Sequence, residues 1–446
     1  MKQLRHGHLH IVTPTHTYTF PLPGAPHSNE QPGLHAKLTV VRDSFWLRLL
    51  TMSDLGFAEA YMYGEVDVDD LQSLFRLFTA VPHYLTNSRF ANTLSTSRSN
   101  ISAHYDISNR MFEGFLSKDM MYSCAIYEDL DSDLRRAPPK PMAVIDQLAG
   151  LKNASESSEA SSTVDDADVD DLHQAQLRKI QHILAKAKLR DGHRVLEIGS
   201  GWGEMAIQAC KNANCEVDTL TLSSEQKKLA EERIAAAGLQ DRIRVHLMDY
   251  RKMSDDWKHS FDRVISIEMV EAVGIEFLPT YWSVIDWALK PSGGVAVVQA
   301  ITMPETRFQA YEHEIDFIRK WCVCVVFPGG ICPTVSLLVS TMNKGSDNRL
   351  IVDSIENIGP HYARTLREWA TKFNDCFNDV IAPNLRAEHP TVMGGPNGAQ
   401  ELEVFRRKWL YYFYYCEVGF ASRTLGDVIV TATREADASY GCTVYA

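Results

Sequence analysis

No uninterrupted apolar run in this chain approaches the roughly 18–20 residues that cross a bilayer, so a membrane-spanning helix is not expected. Nor does the N-terminus read as a secretory leader, with its basic, apolar and small-residue parts in order. A cytoplasmic, at most peripherally membrane-associated location follows as the expectation. Basic residues are in deficit: 45 Lys and Arg against 57 Asp and Glu leave a formal net charge of −12. Phosphate backbones are bound by positive surface, so no nucleic-acid partner is expected. The 9 cysteines are odd in number and scattered, which suits reduced thiols and not a disulfide framework. Cys322-Val323-Cys324 is too tight for a zinc pair, and the aspartates at 165, 166, 168, 170 and 171 lack the glycine and terminal glutamate of a calcium loop. No metal is expected. The dinucleotide fingerprint is missing too, because G-x-G-x-G stands where G-x-G-x-x-G is required.

What is present is a buried-strand pattern running into a glycine turn: Val195-Leu196-Glu197-Ile198, then Gly199-Ser200-Gly201-Trp202-Gly203. Glycine has no Cβ, so backbone can approach a bulky ligand there, and the helix predicted from Glu204 aims its free N–H groups at the same place. Further strands are predicted over residues 215–223, 242–250, 261–268 and 295–299, with a helix over 225–231. This is an α/β pattern, a doubly wound parallel sheet whose strand ends carry the ligand groups. Those ends hold Glu197, Thr221, Asp249, Glu268 and Gln299. A glutamate two residues before the first glycine resembles the class I methyltransferase form, in which the turn lies against the amino-acid part of S-adenosylmethionine.

Composition divides the chain into a small N-terminal α+β module (1–90), a helical segment (91–152), an acidic insertion (153–173), the catalytic domain (174–433) and a tail (434–446). In the module, residues 38–41 and 45–50 read as strands and a helix is predicted from Asp69. The insertion is almost all Ser, Glu, Asp and Ala, without one aromatic residue, and should be disordered.

Upstream of the insertion stand His104-Tyr105-Asp106-Ile107-Ser108-Asn109 and Tyr122-Ser123-Cys124; downstream come Glu268-Met269-Val270-Glu271-Ala272-Val273-Gly274, Phe327-Pro328-Gly329-Gly330, Ile358-Gly359-Pro360-His361-Tyr362 and Lys408-Trp409-Leu410-Tyr411. With these in order, the chain resembles the cyclopropane-fatty-acyl-phospholipid synthases and mycolic acid cyclopropane synthases, in a plant-like eukaryotic form. The resemblance covers nearly everything except the insertion. It implies a class I methyltransferase, Rossmann-like, with helical insertions around an acyl site.

The implied reaction moves the methyl of S-adenosylmethionine onto the cis double bond of an unsaturated phospholipid acyl chain at a membrane surface. Loss of a proton from the resulting carbocation then closes a ring. An alkene is a poor nucleophile, so alignment and exclusion of water must supply most of the acceleration. The resemblance implies bicarbonate as the bound base, with Cys124, Glu271, Gln299 and Tyr362 around it. Glu271 cannot donate a hydrogen bond when ionised, and must then be protonated or accept one. Gln299 stands where bacterial relatives place histidine; an amide binds an anion but cannot titrate. Ala272 is a second such departure.

For the cofactor the resemblance implies Tyr122 and Ser123 near the methionine part, Gly199 and Gly201 beneath it, Thr221 and Gln226 at the ribose, and Tyr250 and Arg251 at the adenine. Glu197, Trp202 and Gly203 belong to the same turn. Asp249, at a strand end, is the residue that position alone selects for the adenine amino group.

A buried acyl chain gains about 0.8 kcal/mol per CH₂, and residues 409–415 and 315–318 are the apolar stretches that could wall it. Arg406, Arg407 and Lys408 are the nearest cations for headgroups. Residues 321–326 stand where relatives pass almost directly to the Phe-Pro-Gly-Gly segment. The resemblance admits a homodimer. Alternatives are a sphingolipid C9-methyltransferase, which leaves a methyl branch, a catalytically silent lipid-binding homologue, and a small-molecule N- or O-methyltransferase.

Overall fold

Aliphatic and β-branched runs bounded by glycine and polar turns form two sheets. The computed structural model describes residues 7–21, 34–79, 109–135, 171–322, 330–437 and 440–441. Positions 104–108, the acidic stretch 153–170, positions 323–329 and the tail from 442 lie outside the described residues.

The N-terminal module holds β1 (His8–Val12), β2 (Thr17–Phe20), β3 (His35–Val40) and β4 (Val66–Val68), in the order β2-β1-β3-β4. Residues 45–50 are not a strand: they open the helix Ser44–Met62. A short apolar run has no decisive period, and of this one only Phe45 is buried, while Trp46, Leu47 and Leu50 stay 41%, 66% and 77% exposed. The helix expected from Asp69 is present as Leu71–Thr79. Arg407 donates to the Tyr61 and Val66 carbonyls at 2.6 and 2.8 Å, and Arg76 pairs with Glu417 at 2.9 Å. These bonds fasten the module to the helix Gly398–Ala421.

The catalytic domain carries β5 (Arg194–Ile198), β6 (Glu216–Thr221), β7 (Ile243–Leu247), β8 (Arg263–Ile267), β9 (Val295–Thr302), β10 (Leu350–Asn357) and β11 (Gly426–Arg434). Their order is β10-β11-β9-β8-β5-β6-β7. Strands β5 to β9 pair in parallel, whereas β11 runs antiparallel to β9 and β10 to β11. This is the doubly wound α/β sheet expected from the sequence, with β5 between β6 and β8 at the point where chain order reverses. Its central strands β5, β8, β9 and β11 are buried on both faces, while the edge strands β7 and β10 are partly exposed.

Two boundaries shift. The helix Asp171–Lys186 absorbs the last three residues of the expected insertion, because Leu172 and His173 already face the core. Strand β11 continues to Arg434, one residue past the expected end of the domain.

Candidate active site

The glycine turn joins β5 to the helix Glu204–Asn212. Gly199, Gly201 and Gly203 have φ of 103°, 48° and 86°, a region L side chains rarely adopt. The Gly199 and Ser200 N–H groups both donate to the Leu220 carbonyl, at 3.1 and 2.8 Å, which holds the turn to β6. A Cβ added at Gly201 would meet nothing within 4 Å, so this backbone borders open space. Trp202 is buried; its Nε1 donates to Asn109 Oδ1 over 2.8 Å and its ring packs on Phe112. The last residue of the upstream motif is thereby joined to the glycine turn. Glu197 is buried on β5 with Oε2 unpartnered, and burial pushes its acid up to about 8.

At the end of β6, the Thr221 hydroxyl donates to Gln226 Oε1 over 2.9 Å, and Ser223 caps the helix Ser224–Ala236 by accepting from the Gln226 N–H. Beyond β7, Asp249 is engaged by Arg251, whose guanidinium approaches to 2.6 Å. That pairing holds the Asp249 carboxyl below its usual range. Tyr250 lies beside it, edge-on to Tyr281. The cleft lined by Tyr250, Arg251, Trp287 and Arg349 opens on this side and is lined by none of the expected catalytic residues.

Tyr122 and Ser123 sit between the turn and the catalytic residues. The Tyr122 ring stacks on Trp369 at 5.0 Å and its hydroxyl lies 2.9 Å from that of Tyr412. The Ser123 hydroxyl accepts from Lys179 Nζ at 2.7 Å, and its carbonyl from Gln176 Nε2 at 2.8 Å. Lys179 is fully buried, which lowers its pKa.

Three of the four expected catalytic residues converge on a fourth group that was not among them. Glu268 Oε1 accepts from the Cys124 N–H at 2.7 Å and from Gln299 Nε2 at 2.8 Å; Oε2 accepts from the Tyr362 hydroxyl at 2.7 Å. The Glu268 backbone N–H also donates to the Gln299 carbonyl, at 2.9 Å. Glu268 follows β8 directly and takes φ 46°, a left-handed conformation that costs roughly 1–2 kcal/mol for an L residue. The bonds it makes at both backbone and side chain offset that cost. Gln299 donates a second time, to Asp427 Oδ2 at 2.9 Å. Asp427, wholly buried on β11, is pushed well above the usual carboxylate range by burial and then by the Glu268 charge.

The Cys124 thiol donates toward the Ala125 and Ile358 carbonyls, and burial, followed by the nearby Asp427 and Glu268 carboxyls, raises it well above an ordinary thiol. The Cys124 backbone N–H is what holds Glu268. Glu271 lies three residues beyond Glu268; its Oε1 accepts from the Ile301 N–H at 2.5 Å, Oε2 has no partner, and burial lifts the acid to about 8.

Glu268 was visible beforehand as one of five strand-end polar residues and as the first residue of a family-like segment, with no role assigned to it. Asp427 and Lys179 carried no local signal, since their meaning depends on β11 and the helix Asp171–Lys186 folding back onto the site. The proposed acyl walls form packed core: Phe317 lies 4.4 Å from Tyr411, and Trp409 and Phe413 are buried among Phe115 and Phe373. Nor do the nearby arginines project freely for headgroups. Arg406 pairs with Glu403 at 2.8 Å, Arg407 binds the N-terminal module, and Lys408 is buried. The 318–322 turn ahead of the extra residues is a π-helix, the form an inserted residue commonly takes, and Lys320 anchors it to Glu59 at 2.6 Å.

The family model described as mycolic acid cyclopropane synthetase matches residues 92–428. Tuberculostearic acid methyltransferase UfaA1 of Mycobacterium tuberculosis is 34% identical over 399 residues, covering 85% of this chain and 79% of that one. Cyclopropane-fatty-acyl-phospholipid synthase of Escherichia coli is 28% identical over 404 residues, covering 87% and 86%. Among solved structures, cyclopropane synthase MmaA2 from Mycobacterium tuberculosis superposes with a TM-score of 0.53 at 23% identity, over 76% of this chain and 99% of that one. Coclaurine N-methyltransferase gives 0.56 at 18% identity, over 85% and 98%, a likeness of fold alone.

Proposed function

The chain belongs to the mycolic acid cyclopropane synthetase family of S-adenosylmethionine-dependent methyltransferases, and from that premise we propose that it alkylates the cis double bond of an unsaturated phospholipid acyl chain and closes a cyclopropane ring. The observation that carries this reading is the bridge made by residues 109–124. Asn109 holds Trp202 of the glycine turn while Cys124 holds Glu268, so the cofactor turn and a dry cluster of carboxylates share one wall.

The residues present fit S-adenosylmethionine. The open space beside Gly201 accepts a ligand, the unpartnered Glu197 oxygen suits an ammonium group, and the Thr221 hydroxyl and Gln226 amide suit ribose hydroxyls. Tyr250, Arg251 and Asp249 stand on the adenine side, with Tyr122 and Ser123 toward the methionine part. When bound, this cofactor supplies an electrophilic methyl group. The chain's contribution is to hold the alkene against it, to keep water out, and to accept one proton afterwards. Burial of Cys124, Glu271 and Gln299 supports exclusion of water.

Bicarbonate, the base the resemblance implies, would find Gln299 Nε2, the Tyr362 hydroxyl and the Cys124 N–H already donating to Glu268. The unpartnered Oε2 of Glu271 belongs to an acid that burial lifts to about 8, so at neutral pH that carboxyl keeps a proton to donate.

Membrane-surface binding is supported by the exposed Trp46, Leu47 and Leu50 on one helix of the N-terminal module, the kind of apolar face that enters a lipid interface. Among the described residues no helix is long and apolar enough to cross a membrane. A second reading is favoured by the 34% identical relative, whose name is that of a methyltransferase: a methyl branch in place of a ring.

The test is mass spectrometry of total lipids from bacteria lacking their own synthase and expressing this chain. Acyl chains heavier by one CH₂ that resist hydrogenation are expected for the ring. A shifted mass with no ring selects the branch, and no shifted lipid from protein that binds S-adenosylmethionine overturns the substrate assignment.

A further inference from the structure

We propose that Lys179 is a positioning residue for the cofactor: its buried ammonium fixes the Ser123 hydroxyl as a hydrogen-bond donor toward the carboxylate of the methionine part of S-adenosylmethionine. The inference rests on the cofactor reading above, in which Ser123 faces the methionine part, and deepens it.

Beside the apolar stripe of Leu172, Ala175, Ile180 and Ile183, the helix Asp171–Lys186 carries a second buried row made of His173, Gln176 and Lys179. Their spacing of three puts these side chains on one side of the helix. Each meets the segment that holds the Tyr-Ser-Cys motif. His173 Nδ1 lies 2.6 Å from Asp119 Oδ2, Gln176 Nε2 donates to the Ser123 carbonyl at 2.8 Å, and Lys179 Nζ donates to the Ser123 hydroxyl at 2.7 Å. The Ile126 N–H donates to the Ala175 carbonyl at 3.1 Å and closes the seam. Ser123 is thus held at both its backbone and its side chain.

The seam lies over the strand ends. Cys124, next in the chain, bonds Glu268 just past β8, and the Lys179 charge acts on both Glu268 and Glu197, near the end of β5. Strands β5 and β8 are neighbours in the sheet, and the ligands of a doubly wound sheet gather where such strands finish.

Among the described residues the Lys179 ammonium forms no ion pair, and its one hydrogen-bond partner is the neutral Ser123 oxygen. A buried cation is costly unless a negative group answers it. Ser123 is itself buried, and among the described residues its hydroxyl meets no acceptor for its own proton. A serine hydroxyl has one proton and two lone pairs. With a lone pair turned to an ammonium, the proton must point elsewhere, and the ammonium polarises that O–H into a stronger donor. A carboxylate is the group this arrangement suits, since it accepts the proton and its charge answers Lys179 at one remove. The cofactor's ammonium is matched by Glu197 and its carboxylate by this pair.

The test is calorimetry on the full chain with two ligands: S-adenosylhomocysteine, and S-adenosyl-3-thiopropylamine, the same molecule without its carboxylate. Lys179→Met keeps the length of the side chain and removes the charge. It should weaken S-adenosylhomocysteine about tenfold or more, the scale of one hydrogen bond to a charged group, and leave the amine within about twofold of wild type. Ser123→Ala should show the same selective loss, and in that background Lys179→Met should add less than about twofold, because both changes remove one interaction. In turnover the loss should fall on the cofactor KM and spare kcat. Equal loss of both ligands, loss of neither, or an effect that adds fully to that of Ser123→Ala overturns the proposal. If Lys179→Met does not fold, Lys179→Gln carries the same comparison. Wild type that binds neither ligand defeats the cofactor reading, and the proposal with it; wild type that binds but turns over no acyl chain defeats the substrate reading only, and the calorimetry still decides Lys179.

Discussion

Tyr362 donates its hydroxyl to Glu268 Oε2 over 2.7 Å from a ring stacked on Phe420 at 4.4 Å. The stack and the bond fix the phenol between the helices Gly359–Cys376 and Gly398–Ala421 and the end of β8. Leaving a buried acceptor without its donor costs about 1–3 kcal/mol, and each 1.4 kcal/mol is about tenfold in rate. Tyr362→Phe should therefore lower single-turnover methyl transfer by roughly 10- to 100-fold, while calorimetry finds cofactor affinity unchanged.

Glu197 links cofactor binding to protons. Burial raises its acid to about 8, so it is protonated in the free protein at neutral pH. A cationic ligand at the unpartnered oxygen favours the carboxylate and lowers that pKa, so binding must release a proton below about pH 8. Affinity should rise with pH up to that value and then level. Calorimetry in two buffers of different ionisation enthalpy measures the release, and Glu197→Gln should abolish it.

Gly201→Ala separates folding from binding. At φ 48° the backbone suits an L residue at a cost of roughly 1–2 kcal/mol, and the added methyl meets no protein atom within 4 Å. The variant should fold, with a modestly lower Tm, and bind S-adenosylmethionine at least tenfold more weakly, since the methyl occupies the cofactor's space. Gly199→Ala should destabilise more, because at φ 103° its methyl lies 3.3 Å from Met269.

The exposed helix of the N-terminal module is a test of the membrane reading. Leu47→Asp with Leu50→Asp removes two side chains that are 66% and 77% exposed and contribute little to the core. Sedimentation with phospholipid vesicles should fall sharply, with Tm unchanged and turnover on detergent-dispersed lipid retained. Equal vesicle binding by both proteins would move the membrane contact elsewhere.

Much of the fold was legible beforehand because parallel strands buried on both faces are near-continuous apolar runs, and the turns between them are punctuated by glycine. β5, its glycine turn and the helix after it could be read off residue by residue. The run at 45–50 could not, because six apolar-rich residues fit a strand or a helix equally and only burial of Phe45 alone decides between them. The boundary at Asp171 was hidden for a similar reason: the acidic composition continues into a helix whose other face is apolar.

By itself the sequence determined the class of the sheet, the cofactor turn and the roster of polar residues at strand ends, since each depends on local pattern and on the rule that ligands gather where parallel strands finish. Tertiary structure alone decided which of those residues meet. Cys124, Glu268, Gln299, Tyr362 and Asp427 come from five separate segments, and their hydrogen bonds exist only once β8, β9 and β11 lie side by side. The acidity of that cluster is likewise a tertiary property: burial, visible in no list of residues, raises Glu268, Glu271 and Asp427 alike.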